Sequence, residues 1–237
     1  MSVTGLLVER VGTGVCQVGP IRSIKIPAGW IEGSGKPFSL GQRYVIPFHP
    51  PDDDDSELCL FYRGLPIPEE DSSVFRKYLQ GAHQVLFSED TTSINDSTQK
   101  SITQLREVLG NTNNNQVLSQ FYFPANYLTD EQWAEYAKEY GELKESAKEQ
   151  AEVGHWFHLR RAEITSINGS SVLSVVGWYR DPKTHLRESE LWKIFIDGDH
   201  QSPECPVLEV FLSTETIEQF NKYCPIFQET LNTIEWQ

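Results

Sequence analysis

The chain has 237 residues, enough for one large domain or two small ones, and 38% of them are hydrophobic, so a sizeable core can form. Its 34 acidic and 20 basic residues leave a formal charge of −14, which argues against general nucleic-acid binding, because that requires Lys and Arg to neutralise phosphates. No apolar run approaches the about 18 residues that span a bilayer, and the opening MSVTGLLVERVGTG has no basic stretch followed by a long apolar one, so a cytoplasmic protein with no membrane span is expected.

From the N-terminus, the runs RSIKIPAGW, RYVIPF, ELCLFYR and HQVLF read as strands. Between the second and third lies HPPDDDDS, in which Asp52, Asp53, Asp54 and Asp55 follow one another without a break. A calcium loop needs oxygens at alternating positions, a glycine-enabled turn and a distal bidentate Glu. Here the four aspartates run without a break, glycine is absent, prolines precede them and adjacent side chains point apart, so the run reads as a charged strand connection offering a contact to a basic surface. A short helix follows at SSVFRKYLQ, with Val74, Phe75, Tyr78 and Leu79 on one side and Gly81 as its stop.

Residues 88–116 are rich in Ser, Thr, Asn and Gln around a helical KSITQLREVLG, and are expected to form a polar, mobile excursion from a single domain spanning 1–237. Residues 124–152 read as the longest helix. Thr129 and Gln132 form a capping-box pattern, and Trp133, Tyr136, Ala137, Tyr140 and Leu143 recur at helical spacing.

The strongest local signal is RRAEITSINGSSVLSVVGWYRD. Asn168-Gly169 supplies the two positive-φ positions of a type I′ turn between strand-like arms. In the second arm Val172, Val176 and Trp178 share one face while Leu173, Val175 and Tyr179 share the other, which predicts a strand buried on both sides. ELWKIFID and PVLEVFLS read as two further strands joined by a polar turn. STETIEQFNKYC then reads as a helix capped by Ser213 or Thr214, with Ile217, Phe220 and Cys224 as its apolar stripe and an interruption or restart at Pro225. LNTIEW closes the chain as a short strand or tail. The fold class expected is α+β: a mostly antiparallel β-sheet with helices packed on its faces.

The cysteines Cys16, Cys59, Cys205 and Cys224 form no C-x-x-C pair, so neither a zinc ribbon nor a redox motif is indicated. Four reduced thiols are expected, with a disulfide left open. EGSGKPF lacks the glycine and hydroxyl that a phosphate loop needs, and no G-x-S-x-G elbow occurs. No catalytic residue, metal ligand or cofactor is assigned. The alternative is a hydrolase-like enzyme whose pocket holds His155, His158, Trp178 and His200, or a small-ligand domain using Trp30 or Trp192.

Arg160, Arg161, Arg180, Lys183, Arg187 and Lys193 gather around the hairpin and the strand after it, while most of the acidic excess lies elsewhere. This pattern suits a charge-balanced sheet edge or a two-toned surface that orients a protein partner. The expected function is protein binding without catalysis, as an adaptor, assembly factor or toxin-neutralising immunity protein. The contact residues would be Asp52 to Asp55 with Arg160, Arg161 and Arg180, and the partner a basic protein.

From the hairpin onward, VVGWYRD, WKIFIDGD, VLEVFLS and TIEQFNKYCPIFQETLNTIEW follow in an order that resembles the tail of the PsbP/Mog1-like family, which includes DcrB-type proteins. Phe220, Tyr223, Phe227 and Leu231 occupy the places of the family's helical pattern, and IKIPAGW is similar to its opening strand. The resemblance covers about the last third of the chain and implies an antiparallel sheet flanked by helices and a binding or assembly role. It carries over no catalytic residue, and the long middle segment departs from the family pattern.

Overall fold

A computed structural model describes residues 8–10, 14–33, 44–62, 69–81, 83–88, 157–180 and 187–237. The expected helices at 100–110 and 124–152, the polar excursion beyond Ser88, His155 and Lys183 lie outside these residues. In chain order the elements are β1 (Val8–Arg10), β2 (Val15–Val18), β3 (Ile21–Lys25), β4 (Ile31–Glu32), β5 (Tyr44–His49), β6 (Ser56–Tyr62), α1 (Glu69–Leu79) and β7 (Gln84–Ser88). They continue with β8 (Phe157–Ile167), β9 (Ser170–Arg180), β10 (Arg187–Asp197), β11 (Val207–Thr214), α2 (Ile217–Leu231) and β12 (Glu235–Trp236).

The strands form two sheets in which every neighbouring pair is antiparallel. The larger runs β4-β5-β6-β11-β10-β9-β8-β7 and the smaller β1-β2-β3-β12. The fold is therefore α+β and dominated by antiparallel sheet. Asn168 (φ 47°) and Gly169 (φ 92°) make the turn between β8 and β9, in the left-handed region that a two-residue hairpin needs. As expected of an interior strand, β9 lies between β8 and β10, with Val172, Leu173 and Val175 all buried.

Alternation along the strands divides the large sheet into two faces. Leu58 and Leu60 of β6, Leu208, Val210 and Leu212 of β11, and Ile194 and Ile196 of β10 point one way. Onto that face pack α2, through Phe220, Tyr223, Phe227 and Leu231, and the small sheet, through Val18, Ile21 and Ile24. Each fully buried Leu, Ile or Phe here contributes about 1.5–3 kcal/mol. The opposite face carries Cys59, Leu173, Val175 and Phe195, and α1 brings Phe75 and Leu79 into buried positions.

Two details of α2 differ from the sequence reading. Its cap is Thr216, not Ser213 or Thr214, because β11 keeps pairing through Thr214, opposite Ser56 and Glu190. Thr216 and Gln219 form a reciprocal capping box: the Thr216 hydroxyl accepts from the Gln219 amide at 3.2 Å, and Gln219 Oε1 accepts from the Thr216 amide at 2.9 Å. The helix also runs unbroken through Pro225. Proline deprives the carbonyl four residues back of its donor, but Asn221 and Pro225 are both exposed, so water can satisfy that carbonyl.

Candidate functional site

The aspartate run connects β5 to β6, and the register fixes what stands beside it. Ser56 pairs with Thr214, which places the turn next to the β11–α2 junction. The Asp53 amide donates to the Pro50 carbonyl at 3.3 Å, closing the turn. Asp53 then acts as an anchor. Its carboxylate accepts from Ser56 Oγ (3.0 Å), the Asp55 amide (3.2 Å) and Gln219 Nε2 of α2 (3.1 Å). Burial pushes the Asp53 carboxyl up, but hydrogen bonds from Tyr223, Ser56, Asp55 and Gln219 outweigh it and hold the group below its ordinary value.

Asp52, Asp54 and Asp55 are exposed around this anchor. Beside them stand Glu215 and Glu218, exposed at the start of α2, where acidic side chains also suit the helix dipole. Lys222 crosses the same end, its Nζ donating to the Tyr223 phenol at 2.9 Å. Trp30 packs edge-on against Tyr223 with ring centroids 5.5 Å apart. Thr216-x-x-Gln219 spells a capping box, the sequence signal that locates the start of α2 and with it Glu215, Glu218 and Gln219. What sequence could not supply is the Asp53–Gln219 contact, which joins residues far apart along the chain.

The basic residues are placed differently from one another. Arg160 is ion-paired with Glu190, whose side chain is fully buried, and its guanidinium lies over the Phe220 ring. Arg161 pairs with Glu163 on the surface at 2.6 Å. Lys193 donates to the buried Glu209 at 2.9 Å and lies over the Phe211 ring. Arg180 pairs in register with Arg187 on the adjoining strand. The row Ser56, Thr214, Glu190, Trp178, His158 crosses the sheet from the aspartate turn to β8. The acidic turn and the Arg160 backbone thus share one end of the sheet, about 19 Å apart at four strand spacings, while the Arg160 guanidinium reaches back to Glu190 on β10. Arg160 and Lys193 are engaged inside the protein by the buried Glu190 and Glu209.

Of the alternative pocket's residues, His155 lies outside the described ones, and His158, Trp178 and His200 do not share one end of the sheet. Trp178 and His158 oppose Glu190 at one end of β10, whereas His200 follows Asp197 at the other, about 24 Å away along the strand. Trp192 packs edge-on against Phe227 at 5.1 Å and donates to Ser174 at 3.0 Å, as a core residue does.

A second polar cluster lies at that far end. Asp197, with its side chain fully buried, accepts from Arg76 Nε of α1 (2.8 Å), His200 Nδ1 (2.9 Å), Cys205 Sγ (3.3 Å) and the Asp199 amide (3.1 Å). The same guanidinium also reaches the carbonyls of Ser202 and Asp199, at 2.6 and 2.7 Å. Cys, His and Asp together suggest a nucleophilic triad, but thiol and imidazole both address the carboxylate, not each other. Burial first, then the Asp197 charge, pushes the Cys205 thiol well up, so it stays protonated. The cluster fastens α1 to the β10–β11 loop. Among the described residues, no three His, Cys, Asp or Glu side chains are grouped so as to hold a metal ion, and no helix is long and apolar enough to cross a membrane.

No protein-family model matches the chain, and no curated protein matches it.

Proposed function

We propose that this protein binds a basic protein partner, as an adaptor, assembly factor or immunity protein, through the acidic end of its large sheet, and performs no bond-making of its own. The observation that carries this reading is the anchoring of Asp53. With one carboxylate tied to Ser56, Asp55 and Gln219, the other three of the run project from a fixed turn beside Glu215 and Glu218. A preset array of like charge loses little conformational freedom on meeting cations, and it raises the rate of encounter with a positively charged surface. Arg161, exposed near the other side of the same sheet end, gives the surface a direction.

The formal charge of −14 favours a protein partner over nucleic acid. A cytoplasmic setting agrees with the four free thiols, three of them buried. The likeness of the C-terminal third to PsbP/Mog1-like proteins points to the same class of role.

The test is affinity purification from native lysate with the wild-type chain and with an Asp52→Asn, Asp54→Asn, Asp55→Asn variant that keeps Asp53. A basic protein should be retained by the wild type at low salt and lost both in the variant and at high salt. Retention that survives neutralisation of all three aspartates and is insensitive to salt overturns the reading.

A further inference from the structure

At the tip of the β8–β9 hairpin, Asn168 does more than shape a turn. Its side-chain Nδ2 donates to two main-chain carbonyls, those of Asn232 (3.0 Å) and Ile234 (2.7 Å). Asn232 is the residue that ends α2, and Ile234 leads into β12. Next to it, the Trp236 indole donates to the Ile167 carbonyl at 2.7 Å. The hairpin tip is thereby tied to the C-terminal end of α2 and to the strand that completes the small sheet. Only a group with two N–H donors can make both Asn168 bonds, because both acceptors are carbonyls.

Asn168 and Gly169 are exposed, and nothing lies within 4 Å of the place a Gly169 Cβ would occupy. Asn-Gly is also the dipeptide in which the following main-chain nitrogen most easily reaches the side-chain carbonyl carbon, since glycine offers no steric obstruction.

We propose that Asn168 is a modification site: a deamidation-sensitive latch, protected while the hairpin is docked and converted once it opens. In the conversion, the Gly169 nitrogen forms a bond to Asn168 Cγ and the bond from Cγ to the amide nitrogen breaks. The amide nitrogen departs as ammonia, carrying away the Gly169 proton. Water then opens the cyclic imide at either carbonyl, leaving aspartate or isoaspartate and one added negative charge. While docked, the amide is held by two main-chain carbonyls, so its departure requires breaking both bonds. After conversion, a carboxylate faces two carbonyl oxygens and the negative end of the α2 dipole, so the tip cannot dock again. The step is one-way, and the fraction of latched molecules falls with age and with each opening.

The experiment follows the peptide containing Asn168 by mass spectrometry, with the full chain incubated at mildly alkaline pH either native or in unfolding urea. Conversion in the native chain should be about tenfold slower or more, as expected when reaction requires local opening. In parallel, Asn168→Asp is compared with Asn168→Gly, which keeps the turn and removes both bonds without adding charge. Asn168→Asp should melt below Asn168→Gly. Equal conversion rates in native and unfolded chains overturn the proposal, as does an Asn168→Asp variant that melts at or above Asn168→Gly.

Discussion

Replacing Asp53 by alanine separates an anchoring carboxylate from its exposed neighbours. The substitution removes the acceptor for Ser56 Oγ, Gln219 Nε2 and the Asp55 amide, at 3.0, 3.1 and 3.2 Å, together with the Tyr223 contact. Hydrogen bonds to a charged group are worth about 1.5–3 kcal/mol each when buried. Asp53 is only partly buried, and water can replace it for several of these donors, so the sum is discounted to about 2 kcal/mol. For a chain of this size that corresponds to a fall of about 4–8 °C in melting temperature.

The folded-state value of Asp53 lies below its ordinary 3.8, so its stabilisation is complete above that ordinary value and is lost as pH falls through the folded-state one. The gap between wild type and Asp53→Ala, measured by urea unfolding, should therefore hold steady from neutral pH down to about pH 5 and narrow below 3.8. Asp54→Ala, an exposed neighbour, should leave stability almost unchanged. If Asp53→Ala proves as stable as Asp54→Ala, the turn is not anchored and the case for a preset acidic array fails.

Three other outcomes follow from named contacts. Arg76→Met removes the cation from the buried Asp197 carboxylate, which keeps only the His200, Cys205 and Asp199 donors, and should cost about 3 kcal/mol in urea unfolding, near the low end for a broken buried pair because Arg76 is partly exposed. A thiol reagent at pH 8 should modify half-buried Cys224 first and slowly, since burial pushes its thiol up to about 11; Cys16, Cys59 and Cys205 should react only on unfolding, and early labelling of Cys205 would count against its placement. Gly33→Ala would set a methyl 2.9 Å from His49 Nε2 and 3.0 Å from Pro47 Cγ. The imidazole is held by its bond to the Ser56 carbonyl and cannot swing clear, so a loss of about 1–3 kcal/mol in thermal unfolding is expected.

The elements set by local chemistry were legible in the sequence. Asn168-Gly169 announces its hairpin, and the apolar runs ELWKIFID and PVLEVFLS mark β10 and β11. For α2 the expected stripe of Ile217, Phe220 and Cys224 meets the buried face only at Phe220, since that face carries Phe220, Tyr223, Phe227 and Leu231. The start of α2 was misplaced because Ser213 and Thr214 are also good caps, and only pairing with β6 shows that they still belong to a strand. In the sequence, Asp197 is simply the last residue of the strand run ELWKIFID. Its partner Arg76 is remote in sequence, and the one local hint was a charge continuing the alternation of Leu191 and Phe195. For the same reason the sequence showed where the acidic turn lies but not that Asp53 faces α2.

The pairing of β6 with β11 sets Leu60 against Val210, and that of β12 with β3 sets Glu235 against Ser23. Both sheets therefore wait for the end of the chain. During synthesis, β3 and β6 emerge early, yet each keeps an open flank until residues past 200 have left the ribosome. Such long-range closure makes for slow folding and leaves unpaired strand edges exposed to other chains in the interval. Removing residues 235–237 would take away β12 and leave that flank of β3 open, so a chain lacking them should aggregate more readily.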